Sequence, residues 1–430
     1  ANTTILQLQS SSNNSISENA DGSLHELKSS LRWEPPQWNF RRAGDSNRTR
    51  QSVRGESEGV DNRELLVVLL EVEGHESACT RSGALDMIWT GDENAADFYA
   101  SVSRGHAALV RNGGVDVVGP VRVAASRVSM EVCDSEAWRT EGLRAIVEAG
   151  IKLGRYNTAV YVMPADVPCS WVGMATVGGG HVWLKACEAP VLSHELGHSF
   201  GLRHAGTELR DVEAAVEYGD SAAIMGNSWE GGLSTVDLPL PMLVSVGWVP
   251  STQVLVVDES NSGNTFSIAP ADRLQDELER GDGSLPPPQA LMVVHPQTRE
   301  RYFFSYRASP VLARSMLVRV HKTPSYTLAS TSLIDELGPG AVYRDHRLQY
   351  SVVVESISAV EARLTLQYEC VRQPPLLVLE RHLGSSAMQR VVNTSTLELE
   401  RGSISYYTLH VTNADTGVCS PTVTRFEFDG

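Results

Sequence analysis

The stretch from His194 to His204, which reads HELGHSFGLRH, constrains this chain more than any other. His194 and His198 are four residues apart, so on a helix they share one face, and imidazole is the commonest protein ligand for zinc. Gly201 allows a left-handed turn that brings His204 back to the same metal. Glu195 is placed to take a proton from water at that metal. The spacing predicts one catalytic zinc ion on three histidines.

A buried helix that carries histidines for no chemical purpose is the simplest alternative. Glutamate, glycine and a third histidine, all at the required offsets, argue strongly against it. His181 is close in sequence, but the three-ligand set is complete without it. A structural zinc site would need a fourth protein ligand, for which His106 is only a distant candidate.

Composition sets the class of protein. The 430 residues are 42% hydrophobic and 20% charged, which indicates a globular chain of two to four domains. The net charge of -16 argues against nucleic acids and anionic membranes as partners. The apolar run at 65–70 is too short to span a bilayer and predicts a buried strand instead.

The cysteines indicate an oxidising compartment. Six cysteines without any CxxC pair, together with N-glycosylation sequons, favour a secreted glycoprotein with disulfides. The sequons lie at Asn2, Asn13, Asn47 and Asn393. Six cysteines allow 15 pairings, and neighbourhood in sequence favours Cys169–Cys187, Cys370–Cys419 and Cys79–Cys133.

Residues 63–250 alternate between strand and helix patterns. Strands are expected at 65–70, within 115–130 with a break at Gly119-Pro120, and at 156–163. Asp92 and Ser135 are candidate helix caps, and Gly154 is a candidate helix end. This order predicts an α/β unit with a largely parallel sheet.

Two short strands are expected immediately before the histidine helix, at 169–175 and 181–185. An edge strand beside a catalytic cleft can pair with an extended peptide, and the alternative is an ordinary hairpin. Pro190 suits the first turn of the helix that follows.

Composition changes on both sides of this unit. Residues 1–62 are polar and predict a disordered leader or the end of a pro-segment. Short β-rich runs at 251–370 predict an all-β sandwich or barrel. Residues 371–430 predict a second β module that is either small or cut short.

Met225 follows the histidine motif by about twenty residues. With the extended motif it is similar to the Met-turn of the metzincins, in which the methionine lies beneath the metal and is not a ligand. More specific details resemble the gametolysin family, the secreted cell-wall lytic proteases of green algae. They are Cys169-x-Trp171-x-Gly173, Tyr218-Gly219-Asp220 running into Met225-Gly226, and Gly247-Trp248.

The resemblance covers residues 63–250, and it implies a metzincin-like α/β catalytic domain followed by all-β sandwich-like domains. Many gametolysin relatives have glutamine at the first ligand position, whereas this chain has His194. The pattern Tyr406-x-x-x-x-Val411-x-Asn413 in the tail resembles an immunoglobulin-like module.

The implied function is a secreted zinc endopeptidase that cleaves extracellular-matrix or cell-wall proteins. Its ligands would be His194, His198 and His204, with Glu195 as general base, one zinc ion, and Gly201 and Met225 as structural residues. Calcium sites and oligomeric state are not readable from the sequence. The alternative is an extracellular binding or adhesion protein whose zinc site is structural or vestigial, as the long β-rich half suggests.

Overall fold

Strands predominate in the protein, whose structure is a computed structural model. It describes residues 41–42, 60–111, 115–209, 214–227, 232–273, 286–295, 298–312, 314–345, 350–368, 376–383, 386–392 and 406–412. All four sequons, Cys370 and Cys419 lie outside the described residues. Two compact units are present: the described parts of 59–203 with 245–248, and of 39–58, 204–244 and 249–430.

The elements follow in chain order. The helices are α1 (Arg81–Leu85), α2 (Ala95–Val102), α3 (Ser135–Glu148), α4 (Ala189–Ser199) and α5 (Leu240–Ser245). The strands up to residue 216 are β1 (Arg41–Arg42), β2 (Asp61–Val72), β3 (Ala107–Val110), β4 (Val117–Val123), β5 (Thr158–Val162), β6 (Gly173–Ala175), β7 (His181–Leu184), β8 (Ala205–Leu209) and β9 (Ala214–Val216). The later strands are β10 (Val254–Val257), β11 (Thr265–Ile268), β12 (Ala290–Val294), β13 (Arg301–Tyr306), β14 (Val318–Thr323), β15 (Thr331–Leu337), β16 (Val342–Asp345), β17 (Tyr350–Ile357), β18 (Ala362–Tyr368), β19 (Leu376–Leu383), β20 (Ser386–Val392) and β21 (Tyr406–Thr412).

The first unit is built on a mostly parallel sheet around β2. Strand β2 pairs in parallel with β3, β4 and β5, and β7 pairs in parallel with β5. Strand β6 is antiparallel to β7 and lies at the sheet edge. The apolar run 65–70 is completely buried, as expected for a strand covered on both faces. The predicted α/β order and edge strand pair are therefore confirmed.

The helix ends differ from the predicted ones by a few residues. Asn94, not Asp92, caps α2 by accepting a hydrogen bond from the N–H of Asp97 at 2.9 Å. Asp134, not Ser135, caps α3. Helix α3 stops before Gly150 because that glycine, at φ +66°, provides a left-handed exit earlier than Gly154.

Strand β4 continues through Gly119–Pro120, where a break was expected. Proline lacks a donor, but among the described strands β4 pairs only with β2, so the missing N–H disrupts no second described partner. A Cβ at position 119 would lie 2.6 Å from the carbonyl oxygen of Leu69, which accounts for the glycine.

The disulfides also differ from the expected pairs. Cys79 pairs with Cys187 and Cys133 pairs with Cys169, so both predictions among these four cysteines were wrong. The paired cysteines are 108 and 36 residues apart, with strands and helices between them, so neighbours in space are not neighbours in sequence. The Cys370–Cys419 prediction lies outside the described residues.

The second unit is rich in β-structure. Its eight-stranded sheet has the order β1-β10-β12-β13-β14-β15-β8-β9, and a four-stranded sheet has the order β11-β18-β17-β16. Phe304 and Val320 from the larger sheet share one hydrophobic core with Tyr350 and Leu364 from the smaller sheet. Strands β19, β20 and β21 form a separate three-stranded sheet.

Strand β8 begins directly after His204 and joins the eight-stranded sheet. It pairs in parallel with β15, with Ala205 opposite Thr331.

The domain limits at 62/63, 250/251 and 370/371 stay predictions. Among the described residues, no helix is long and apolar enough to cross a bilayer.

Candidate metal centre

Helix α4 carries two of the three histidines. Pro190 occupies its first turn, where the missing N–H removes no helical hydrogen bond. Val191, Leu192 and Leu196 are buried, and so are His194 and His198. The two imidazole rings lie 5.0 Å apart between centroids, at 82° to each other. The helix is thus both a core element and a platform for ligands.

The helix ends in a Schellman motif that fixes the next residues. Gly201 adopts φ +94°, its N–H donates to the carbonyl of His198 at 2.8 Å, and the N–H of Leu202 donates to the carbonyl of Gly197 at 3.0 Å. The carbonyl oxygen of Leu202 in turn lies 2.8 Å from Nδ1 of His198. The turn therefore directs the chain towards His204 and also orients the ring of His198.

His204 is oriented by a carboxylate. Its Nδ1 lies 2.7 Å from Oε1 of Glu217, and its ring packs on Tyr218 with centroids 4.1 Å apart. A hydrogen bond at Nδ1 directs Nε2 towards a metal and raises the basicity of the ring. His198 and His204 thus both have the partner that a zinc-binding histidine uses.

The three histidines meet in one group. Their ligand nitrogens all lie within 4.8 Å of one another. Within the part of the chain that the structure describes, no fourth histidine, cysteine or carboxylate belongs to this group. Three imidazoles with one position left over match a catalytic zinc site, whereas a structural site takes four protein ligands. The donor set therefore fits the predicted ion.

Glu195 is buried beside the first ligand. Burial raises the pKa of its carboxyl to about 8, and Oε2 makes no hydrogen bond to the described residues. An unsatisfied buried carboxyl oxygen is costly, and a catalytic role or an ion is one explanation for it. This side chain is available for proton transfer.

The edge strand β6 packs closely on Glu195. A Cβ at Gly173 would lie 2.7 Å from Cγ and Oε1 of Glu195 and 2.9 Å from Cγ1 of Val191. The N–H of Gly178, in the turn after β6, donates to the carbonyl of His198 at 2.8 Å. The strand pair and the helix thus form one arrangement around the general-base candidate.

Three aromatic side chains in the first unit cover another side of α4. The hydroxyl of Tyr99 donates to the carbonyl of Ser193 at 2.5 Å. Its ring contacts Phe200 and Trp248, with centroids 4.9 and 6.0 Å away. The motif predicts none of these contacts.

Met225 and His181 are placed differently. Met225 is completely buried, and its carbonyl accepts from the N–H of Ala205 at 2.8 Å, next to the third histidine. Its role as the floor of the site stays a prediction. His181 lies outside the histidine group, with Nδ1 3.1 Å from the hydroxyl of Tyr161. Burial, reinforced by Arg139, lowers the pKa of His181.

Comparison with known proteins agrees with this geometry. Residues 78–265 match the family described as Gametolysin peptidase M11. The chain is gametolysin-like. Over 97 residues it is 30% identical to "Autolysin" of Chlamydomonas reinhardtii. This aligned segment is 21% of this chain and 14% of that protein. The gametolysin-like segment thus includes the histidine group and supports a peptidase.

Proposed function

We propose that this gametolysin-like chain is a secreted, zinc-dependent endopeptidase with a metzincin-type catalytic domain at 63–250. The observation that carries the proposal is the group of three histidine nitrogens within 4.8 Å, next to a buried glutamate. The β-rich segments 251–370 and 371–430 would be further domains of the same enzyme. Met225 would support the site from below.

Each residue of the site has a defined task. His194, His198 and His204 would hold the ion, and Glu217 and the carbonyl of Leu202 keep two of their rings in place. Zinc supplies Lewis acidity, which acidifies water and polarises a carbonyl. Glu195 accepts a proton from the attacking water and returns it to the leaving amine.

The substrate would be an extended segment of an extracellular or cell-wall protein. Strand β6 lies at a sheet edge, and its Gly173 packs against Glu195. A peptide that adds to this edge as another strand would run past the general base. Two disulfides in the first unit support folding in an oxidising compartment.

The test is Glu195→Gln, which removes the base while keeping the size of the side chain. Cleavage of a protein substrate should fall about 10²- to 10⁴-fold, with zinc content unchanged. Glu188→Gln is the matched control, because it makes the same chemical change at an exposed position just before α4. Undiminished proteolysis by Glu195→Gln would exclude the assigned base. A zinc-loaded wild type that cleaves nothing would favour the binding or adhesion function.

A further inference from the structure

A charged cluster is completely enclosed in the second unit. Asp220 has no exposed surface, and its Oδ1 accepts from Nη2 of Arg319 and from the N–H of Ala222 at 3.1 Å. Its Oδ2 accepts from Nε2 of His321 at 3.0 Å. Arg319 and His321 lie on β14, about a hundred residues further along the chain.

The charges in this cluster are set by their surroundings. Burial favours the neutral form of Asp220, but Arg319 and the hydrogen bond from His321 outweigh it and lower the pKa of the carboxyl well below its usual range. Burial lowers the pKa of His321 to about 4. His321 is therefore neutral at pH 7, with its proton on Nε2, and Asp220 is a carboxylate.

Such a cluster is a weak source of stability. Taking these charges out of water costs several kcal/mol per ion, and an apolar replacement is often as stable. The better-supported use of buried polar groups is to specify one arrangement of the chain over others. The backbone that contacts Asp220 is therefore the part of the chain whose arrangement the cluster could specify.

Asp220 is hydrogen-bonded to the residue after His204. Its backbone N–H donates to the carbonyl of Ala205 at 3.1 Å, and the N–H of Ala205 donates to the carbonyl of Met225 at 2.8 Å. A Cβ at Gly226 would overlap the carbonyl oxygen of Asp220, so the turn closes tightly on itself. Both backbone groups of Ala205 are thus held by the segment from Asp220 to Met225.

A second ion pair fixes the same turn. Nη1 of Arg307 lies 3.4 Å from the carbonyl of Ala222 and 3.7 Å from Oδ2 of Asp237. The N–H of Ile224 donates to the carbonyl of Asp237 at 3.0 Å. Arg319 on β14 and Arg307, which directly follows β13, therefore contact this turn at two places.

We infer that Arg319 and His321 are positioning residues for the metal centre, which act through Asp220 on the backbone at Ala205 and His204. The inference rests on the proposed zinc site. The larger β-sheet would thereby contribute to that site. His204, the proposed third ligand, directly precedes β8, and side chains from β14 bind Asp220. The backbone N–H of Asp220 in turn donates to Ala205, the first residue of β8.

The test is zinc affinity, measured by competition with a chromogenic chelator on the full chain. His321→Ala should weaken zinc binding about tenfold or more, the effect usual for outer partners of metal ligands. His321→Gln should restore most of the affinity, because its amide can still donate to Asp220. Val320→Ala is the matched control on the same strand, since it removes buried surface from the opposite, core-facing side.

All variants are assayed well below their thermal unfolding midpoints. Wild-type zinc affinity in folded His321→Ala would overturn the inference, and so would an equal loss of affinity in Val320→Ala. A wild type that binds zinc but cleaves no protein would refute the peptidase function alone. The zinc affinities of His321→Ala, His321→Gln and Val320→Ala would still decide whether His321 is a positioning residue.

Discussion

His198 and His204 each have a hydrogen-bond acceptor next to Nδ1, and the two acceptors are of different kinds. His198 faces the carbonyl of Leu202, which is held within the Schellman motif, whereas His204 faces Glu217. The Glu217 side chain is 70% exposed, so water can replace much of what it contributes. As a proposed zinc ligand, His204 should therefore tolerate loss of its partner better than His198.

Glu217→Ala is expected to weaken zinc binding by no more than about tenfold, the lower end of the range for outer partners, because the carboxylate is exposed. The zinc affinity of Glu217→Gln should lie between those of Glu217→Ala and the wild type, since the amide oxygen of glutamine still accepts from Nδ1 of His204. Chelator competition measures both, and Glu355→Ala, at an exposed position on β17, is the control. A hundredfold loss would show that the carboxylate contributes more than its exposure suggests.

His321 predicts a pH dependence of stability. Its pKa is about 4 in the folded protein and about 6.5 when unfolded, so between these values only the unfolded chain binds the proton. The free energy of unfolding should therefore fall as pH falls from 6.5 to 4, by at most about 3 kcal/mol. The Asp220 carboxylate limits this loss, because it raises the pKa of His321 in the folded protein. The positive charges of Arg319 and Arg307 act in the opposite direction and favour the neutral ring.

Chemical denaturation of wild type and His321→Gln from pH 7 to 4.5 measures this contribution. A chelator is present throughout, so the metal ligands titrate alike in both proteins. The wild type should lose more stability than the variant over this interval. Parallel profiles would mean that the imidazole titrates normally in the folded state.

At the scale of elements, β6 and α4 pack closely against each other at Glu195. Gly173→Ala places a methyl group within 2.7–2.9 Å of Glu195 and Val191, so either the strand or the glutamate must move. Activity should fall at least tenfold, because small displacements of catalytic groups are costly. Gly154→Ala is the control, since a Cβ there has nothing within 4 Å. Equal peptidase activity of the two variants would contradict a close-packed general base.

Elements with strong periodic patterns could be predicted from the sequence. The strand at β2, the edge pair β6 and β7, and the β-rich character of the segment after residue 251 follow from apolar runs and turn residues. Strand β15 has no such pattern, because Ser332, Asp335 and Glu336 interrupt its apolar residues. Helix ends were missed by one or more residues, because neighbouring Asn94 and Asp134 compete successfully for the cap positions.

At the scale of the whole molecule, the fragment 60–250 tests the predicted boundary at residue 250. It retains β2 to β7 and α4, but β8 loses β15 and Asp220 loses Arg319 and His321. The fragment should bind zinc at least tenfold more weakly than the full chain, in the same chelator assay. Full affinity in a folded fragment would establish 63–250 as an independent metal-binding domain.

The proposed ligands and the residues proposed to position them differ in how far the sequence predicts them. His194, His198 and His204 lie within eleven residues, so helix geometry and one glycine are enough to bring them together. Arg319 and His321 come from a strand whose partners are set by the whole sheet, and no local pattern connects them to Asp220. The cysteine pairs were mispredicted for the same reason.

The direct passage from His204 into β8 limits how the length of homologous chains can vary. One residue inserted between His204 and Ala205 would move the third ligand, or else the register against β15, by about 3.3 Å. That exceeds a zinc–nitrogen bond of about 2.0–2.1 Å. Insertions and deletions should therefore be rare at this junction over evolutionary time, and far commoner in surface loops that connect other strands.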